Sequence, residues 1–253
     1  MLKFIGTGSA FNTNSANCSA YIKDGENLLI IDCGETAFAR MKQLNIFEDV
    51  KKVYIIITHM HSDHVGSLGS LIAYLRIFYE IVPNILITNE DSAEAQENIL
   101  RKYLELVGIK EEEYEFTYCD MMEDALTDLK KVELVEVKHS PELTSYAVEL
   151  YFKEKTIYYT GDQNDIPYVK SIAKSLKPQD LVYTDCTNKD YKGRVHISLD
   201  ELAKIFAENK RAQVYCMHFE NMAVISDAKE LGFKVATKEQ SIEELLRQIA
   251  NRK

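Results

Sequence analysis

The sequence predicts an α/β or α+β fold, with two sheets, helices outside them, and two similar halves of about residues 1–130 and 131–253. Three observations lead there. Strands come first, then strands and helices interleave, and this order occurs twice. Val53–Ile57 is a continuously apolar run, as strands buried on both faces are, and Ile85–Thr88 reads as another buried strand. The composition is 46% hydrophobic and 28% charged over 253 residues, with only 4 Pro and 10 Gly. That excludes disordered and collagenous chains and supplies a sizeable core. With no repeat, low-complexity tract or linker, one domain over 1–253 is expected.

The elements follow in order. Leu2–Ile5 reads as a strand that leaves through Gly6-Thr7-Gly8-Ser9-Ala10. Asp24-Gly25 between two apolar runs marks a hairpin. Thr36–Leu44, Leu68–Ile81 and Ala93–Val107 have helical spacing, and Glu111–Glu113 reads as a solvated acidic turn. In the second half, Val132–Val137, Ser145–Phe152 and Thr156–Thr160 read as strands. There Ile166–Leu176 is helical, Leu181–Thr184 a strand, Leu199–Glu208 a helix and Gln213–Met217 a strand, and Ser241–Ile249 closes as a helix.

Lys and Arg number 30 against 40 Asp and Glu, a net charge of −10. A chain this acidic is not expected to wrap a long nucleic acid, which needs cations to displace counterions. No segment reaches the roughly 18 apolar residues of a membrane helix, so no membrane partner is expected. The N-terminus turns polar too early for a signal peptide. The five cysteines are scattered and odd in number, which reads as reduced thiols in a cytoplasmic protein.

The six histidines carry the chemistry. His59, His61 and His64 lie in Thr58-His59-Met60-His61-Ser62-Asp63-His64, directly after the Val53–Ile57 strand. His139, His196 and His218 also sit at or just beyond predicted strands, and Asp162 ends one. Imidazole with carboxylate suits Zn²⁺, and also Mn²⁺ or Fe²⁺. One short loop cannot wrap four ligands around one tetrahedral ion. The loop's ligands can divide, His59 and His61 toward one metal, Asp63 and His64 toward another, leaving His139, Asp162 and His218 to complete both.

With these residues in place, Thr58–His64, His139, Gly161-Asp162 and His218 resemble the signature series of the metallo-β-lactamase superfamily. The resemblance implies a four-layer αβ/βα sandwich with two Zn²⁺, or Mn²⁺, at one rim. It implies His59, His61 and His139 on the first ion, Asp63, His64 and His218 on the second, and Asp162 between them. Two such cations would acidify a shared water toward neutral pH, giving a nucleophilic hydroxide beside a cradle for oxyanions.

Further stretches narrow the branch. Phe4-Ile5-Gly6-Thr7-Gly8-Ser9-Ala10 with Asn17, then Tyr183–Thr187 and Gly193–Ser198, are similar to motifs of ribonuclease Z-like phosphodiesterases. The likeness implies that His196 faces the scissile phosphate and Asp185 orients it, although Asp185 stands where the family carries Glu. Asp63, His196 and Asp185 are thus the candidate catalytic residues. Only 22 residues separate His139 from Asp162, too few for a tRNA-gripping arm. Among armless members the chain most resembles the anti-Pycsar cyclic-nucleotide phosphodiesterases. That implies a homodimer acting on 3′,5′-cyclic mononucleotides. Phe11 and Asn12 are candidates for the substrate pocket, with Tyr74, Tyr79 and Phe219 as further stacking partners. Three alternatives stay open here: an RNA endonuclease, a lactonase or β-lactamase acting on carbonyls, and a protein that binds nucleotides without cutting them.

Overall fold

The computed structural model describes residues 1–122, 125–189, 192–241 and 244. The first sheet runs in sequence order: β1 (Lys3–Gly6), β2 (Ser19–Asp24), β3 (Asn27–Ile31), β4 (Lys52–Ile56), β5 (Asn84–Ile87) and β6 (Glu115–Tyr118). The second runs from β7 (Leu129–Val137) and β8 (Ser145–Phe152) through β9 (Thr156–Tyr159), β10 (Leu181–Asp185) and β11 (Val214–Met217) to β12 (Lys234–Val235). Each sheet has two antiparallel pairings followed by three parallel ones. The hairpin read at Asp24-Gly25 is the β2–β3 turn.

Helices cover the outer faces because parallel strands need crossovers and their outer faces need burial. On the first sheet these are α1 (Ala37–Gln43), α2 (Ser62–Val65), α3 (Leu68–Tyr79) and α4 (Ala93–Leu106). On the second they are α5 (Ile166–Ser175), α6 (Leu199–Ile205), α7 (Glu208–Arg211) and α8 (Met222–Glu230). Three apolar layers result. Ile30, Val53, Ile55, Leu71 and Leu75 pack the first sheet against its helices. Leu29, Ile31, Ile56, Val148, Tyr159 and Tyr183 fill the space between the sheets. Val169, Val182, Leu202, Val214 and Phe206 join the second sheet to its helices. This is the expected four-layer αβ/βα sandwich. Alternate residues of one strand serve different layers, which is why the continuously apolar runs were legible. A side chain such as Ile55 contributes about 1.5–3 kcal/mol by its burial.

Several readings are corrected. The predicted helix Leu199–Glu208 breaks at Phe206, whose ring is fully buried, and resumes as α7. β6 went unread because Glu115 and Thr117 give an edge strand little apolar pattern. α8 was missed as well; the Asn221 side chain caps it by accepting from the Ala223 and Val224 amides. The Ser241–Ile249 helix falls almost wholly outside the described residues. Among the described residues no helix is long and apolar enough to cross a membrane. All five cysteines are buried and free. Burial pushes the Cys18, Cys33 and Cys119 thiols up to about 12.

The topology gathers strand ends. β1, β3, β4, β7, β9, β10 and β11 all leave their sheets at one edge, where ligand sites of open α/β sheets are commonly found. Two glycines admit the backbone there. Gly161 has φ +60°, and a side chain on Gly34 would meet the Asp63 carbonyl oxygen at 1.9 Å. Gly34 therefore sets how closely the 62–65 turn packs on the end of β3, where Cys33 N donates to the His64 carbonyl at 2.7 Å. Gly34→Ala is expected to cost about 2 kcal/mol or more through overpacking and to displace Asp63. Thermal unfolding and metal titration would check this; an unchanged melting temperature with full metal affinity would contradict it.

Candidate metal centre

Seven side chains converge at this edge in two groups. His59, His61 and His139 form one, and Asp63, His64, Asp162 and His218 the other. In the first, His61 Nδ1 lies 2.9 Å from His59 Nε2 and 3.3 Å from His139 Nε2. In the second, His64 Nε2 lies 3.4 Å from Asp63 Oδ2 and 3.3 Å from Asp162 Oδ2. His218 Nε2 is 3.2 Å from both carboxylates. A tetrahedral ion with ligands at about 2.0–2.1 Å separates neighbouring donors by roughly 3.3 Å. The observed spacings fit that edge. Asp162 Oδ2 also lies 3.9 Å from His139 Nε2, so it faces both groups.

The protonation chemistry agrees with a cation site. Burial holds His59 well below the usual histidine range, reinforced by the charge of His64. Burial also lowers His61 and His139. These three are neutral imidazoles, the form that ligates a metal. In the second group the charges run the other way. Burial opposes ionisation of Asp63 and Asp162, but His64 and His218 outweigh it, and both carboxyls lie below the usual range. Burial likewise opposes a charge on His64, yet Asp162 and Asp32 hold it well above the usual range. Its Nε2 is buried without a hydrogen-bond partner. A buried donor atom aimed at two carboxylate oxygens is where a cation replaces a proton.

The second ring nitrogens of His139, His64 and His59 are tied down, the last with its Nδ1 3.1 Å from Thr58 Oγ1. His139 Nδ1 lies 3.0 Å from the Val195 carbonyl oxygen, which directs Nε2 inward. His64 Nδ1 lies 2.8 Å from Asp32 Oδ2. Asp32 is 0% exposed at φ 65°, and its carboxylate also accepts from Thr58 N at 2.8 Å and Thr58 Oγ1 at 3.0 Å. Sequence reasoning missed Asp32. Its signal was present: an acid ending β3, the parallel neighbour of the strand that feeds the histidine loop.

Beside the two groups, His196 Nδ1 lies 2.9 Å from Asp185 Oδ2, so the expected pair forms. Burial pulls His196 down, but the Asp185 hydrogen bond and the Asp162 charge push it up to about 9. Asp185 is fixed in turn by Gln163 N at 3.1 Å. A cavity of about 650 Å³ opens over these residues. Its wall includes Ser9, Phe11, His61, Asp63, His196, Lys189 and Glu220.

The candidate pocket residues fare differently. Phe11 lines the cavity at 97% exposure. Asn12 does not line it. Its side-chain amide donates to the Phe219 carbonyl at 2.8 Å, alongside Ser9 N at 3.1 Å, latching the loop after β1 onto the backbone next to His218. That backbone needs a latch, because His218 sits at φ 58°. Phe219 is fully buried, and Tyr74 and Tyr79 pack with Phe47 on the outer face of the first sheet.

A family model described as Anti-Pycsar protein Apyc1 matches residues 1–242. The chain belongs to the anti-Pycsar Apyc1 family. The Apyc1 protein of Bacillus phage 010DV004 is 29% identical over 237 residues, covering 86% of this chain and 88% of that one. Among solved structures, the metallo-β-lactamase fold protein YhfI from Bacillus subtilis superposes with a TM-score of 0.68 at 17% identity, covering 95% of this chain and 97% of its own. A diphosphatase of the PhnP family also superposes with a TM-score of 0.68, at 18% identity, covering 95% and 96%. This Apyc1-family chain therefore has the metallo-β-lactamase fold.

The Asp32 contact generates a prediction. Asp32→Ala frees the His64 ring, and metal affinity at the second group is expected to fall about 10–100-fold. Metal affinity at the first group should be unchanged. Calorimetric titration that still finds two equal sites in the variant would contradict this role.

Proposed function

We propose that this chain is a dinuclear metal-dependent phosphodiesterase that opens 3′,5′-cyclic mononucleotides to nucleoside 5′-monophosphates. The observation that carries the reading is the junction of two donor groups at Asp162, with the Asp185–His196 pair on the same cavity wall. Family membership supports the substrate class.

Two divalent cations held there, Zn²⁺ or Mn²⁺, would supply Lewis-acid charge to phosphate oxygens and lower the pKa of a water. The chain's own residues do the rest. Asp63 and Asp162 are ionised and balance part of the cation charge. The Asp32, Val195 and Thr58 contacts orient the His64, His139 and His59 rings, which lessens the reorganisation needed as charge builds on the phosphate. Asp185 occupies His196 Nδ1, leaving Nε2 to hold a proton toward the cavity. Water adds to phosphorus and sheds one proton to solvent, the bond to O3′ breaks, and His196 gives its proton to the departing oxygen. Phe11, exposed on the rim, offers a face for the base.

A small substrate suits the molecule better than RNA. The net charge is −10, and a short hairpin fills the interval between His139 and Asp162. A homodimer is part of the same proposal.

Incubating the Zn²⁺- and Mn²⁺-loaded protein with 3′,5′-cyclic mononucleotides, cyclic dinucleotides, a short RNA and a chromogenic lactam, with products identified by mass, tests the reading. Nucleoside 5′-monophosphates are expected, and lactam opening without phosphodiester cleavage would overturn it. His196→Ala should keep both metals and lose roughly 10²-fold or more in rate. A loss below threefold would make His196 structural.

A further inference from the structure

The described wall of the cavity carries one Lys or Arg side chain, Lys189, beside His196, raised above the usual histidine range, and the acids Asp63, Asp162 and Glu220. Lys189 Nζ lies 3.0 Å from Glu220 Oε2. The two side chains come from adjacent parallel strands. Lys189 follows Asp185 at the end of β10, and Glu220 follows His218 at the end of β11.

The two partners are held unequally. Glu220 Oε1 also accepts from Thr187 Oγ1 at 3.3 Å, and its side chain is 28% exposed. Lys189 is anchored through its backbone, where its amide donates to Thr187 Oγ1 at 3.1 Å. Asn188 Nδ2 donates to Asp227 Oδ2 at 3.3 Å and pins the same loop to α8. Beyond that anchor the Lys189 side chain is 61% exposed on a flexible stem. Glu220 Oε2 is buried, but the Lys189 end of the pair is open to water, and an ammonium so exposed is held weakly. A phosphate oxygen offers an ammonium a charge-assisted bond that is stronger.

We propose that Lys189 is the phosphate-binding cation of the pocket, stored on Glu220 and transferred to the anionic group of the substrate on binding. The proposal rests on the phosphodiester reading and adds to His196, which serves the departing oxygen, a second protein cation for the anion. Glu220 then acts as a competitor. It holds the ammonium in the resting pocket, and it weakens substrate binding by what it costs to release Lys189 from it.

The two residues therefore have opposite effects. Lys189→Met is expected to raise KM for a cyclic mononucleotide about tenfold, to change kcat by less than threefold, and to flatten the salt dependence of kcat/KM. Lys189→Arg should restore most of the loss. Glu220→Gln, which keeps the shape and the Thr187 contact, is expected to lower KM about threefold, and to have no effect when combined with Lys189→Met. An unchanged KM in Lys189→Met overturns the proposal. So does a rise in KM in both single variants, which would make the pair a brace between loops. Calorimetric binding of inorganic phosphate to the metal-loaded proteins gives the same comparison without turnover. If the wild type cuts no diester but phosphate affinity still falls in Lys189→Met and rises in Glu220→Gln, the reaction assignment fails and Lys189 stands.

Discussion

One buried carboxylate underlies the site. Asp32 receives hydrogen bonds from Thr58 and faces the His64 ring, entirely out of water. It thereby ties the end of β3 to the loop after β4 and fixes which nitrogen of His64 faces the second group. A buried carboxylate without such partners would cost several kcal/mol. The left-handed backbone at Asp32 is stored strain, tolerated because these contacts over-determine it. Within Thr58–His64, the His64 ring takes its aim directly from this arrangement.

The sandwich supplies the rest by strand direction. The first sheet brings Asp32 and the histidine loop to one edge, and the second brings His139, Asp162, Asp185 and His218 to the same edge. The backbone joins the halves where Tyr146 N donates to the Thr58 carbonyl at 2.9 Å and Phe219 N donates to the Thr7 carbonyl at 2.8 Å. Each half holds part of the ligand set, so neither can form the centre alone.

Charge divides the labour within the pocket. The three neutral imidazoles of the first group add no charge, whereas the second group concentrates ionised carboxylates around His64. Positive charge is therefore favoured most strongly near Asp162, between the groups and beside His196. In the proposed reaction, cations held there would supply the local positive charge that draws an anion to a protein of net charge −10. On the same proposal, Lys189, paired with Glu220 on the cavity wall, meets that anion.

Much of this could be read from residue order. The period of Val53–Ile57, the turn at Asp24-Gly25 and the spacing of His59, His61, Asp63 and His64 are local, and local spacing follows from backbone geometry alone. Element types and the candidate donors were therefore legible, while β6 and α8 were not, because their patterns are weak and tertiary contact makes them. The chain alone could not tell that Asn12 turns inward to Phe219 while its neighbour Phe11 stays on the rim. Nor could it show that Asp32 meets His64, or that Lys189 meets Glu220 across two loops. Those pairings depend on which strand ends share an edge and on the side chains that space leaves unpartnered, and both are settled only when the two sheets close on each other.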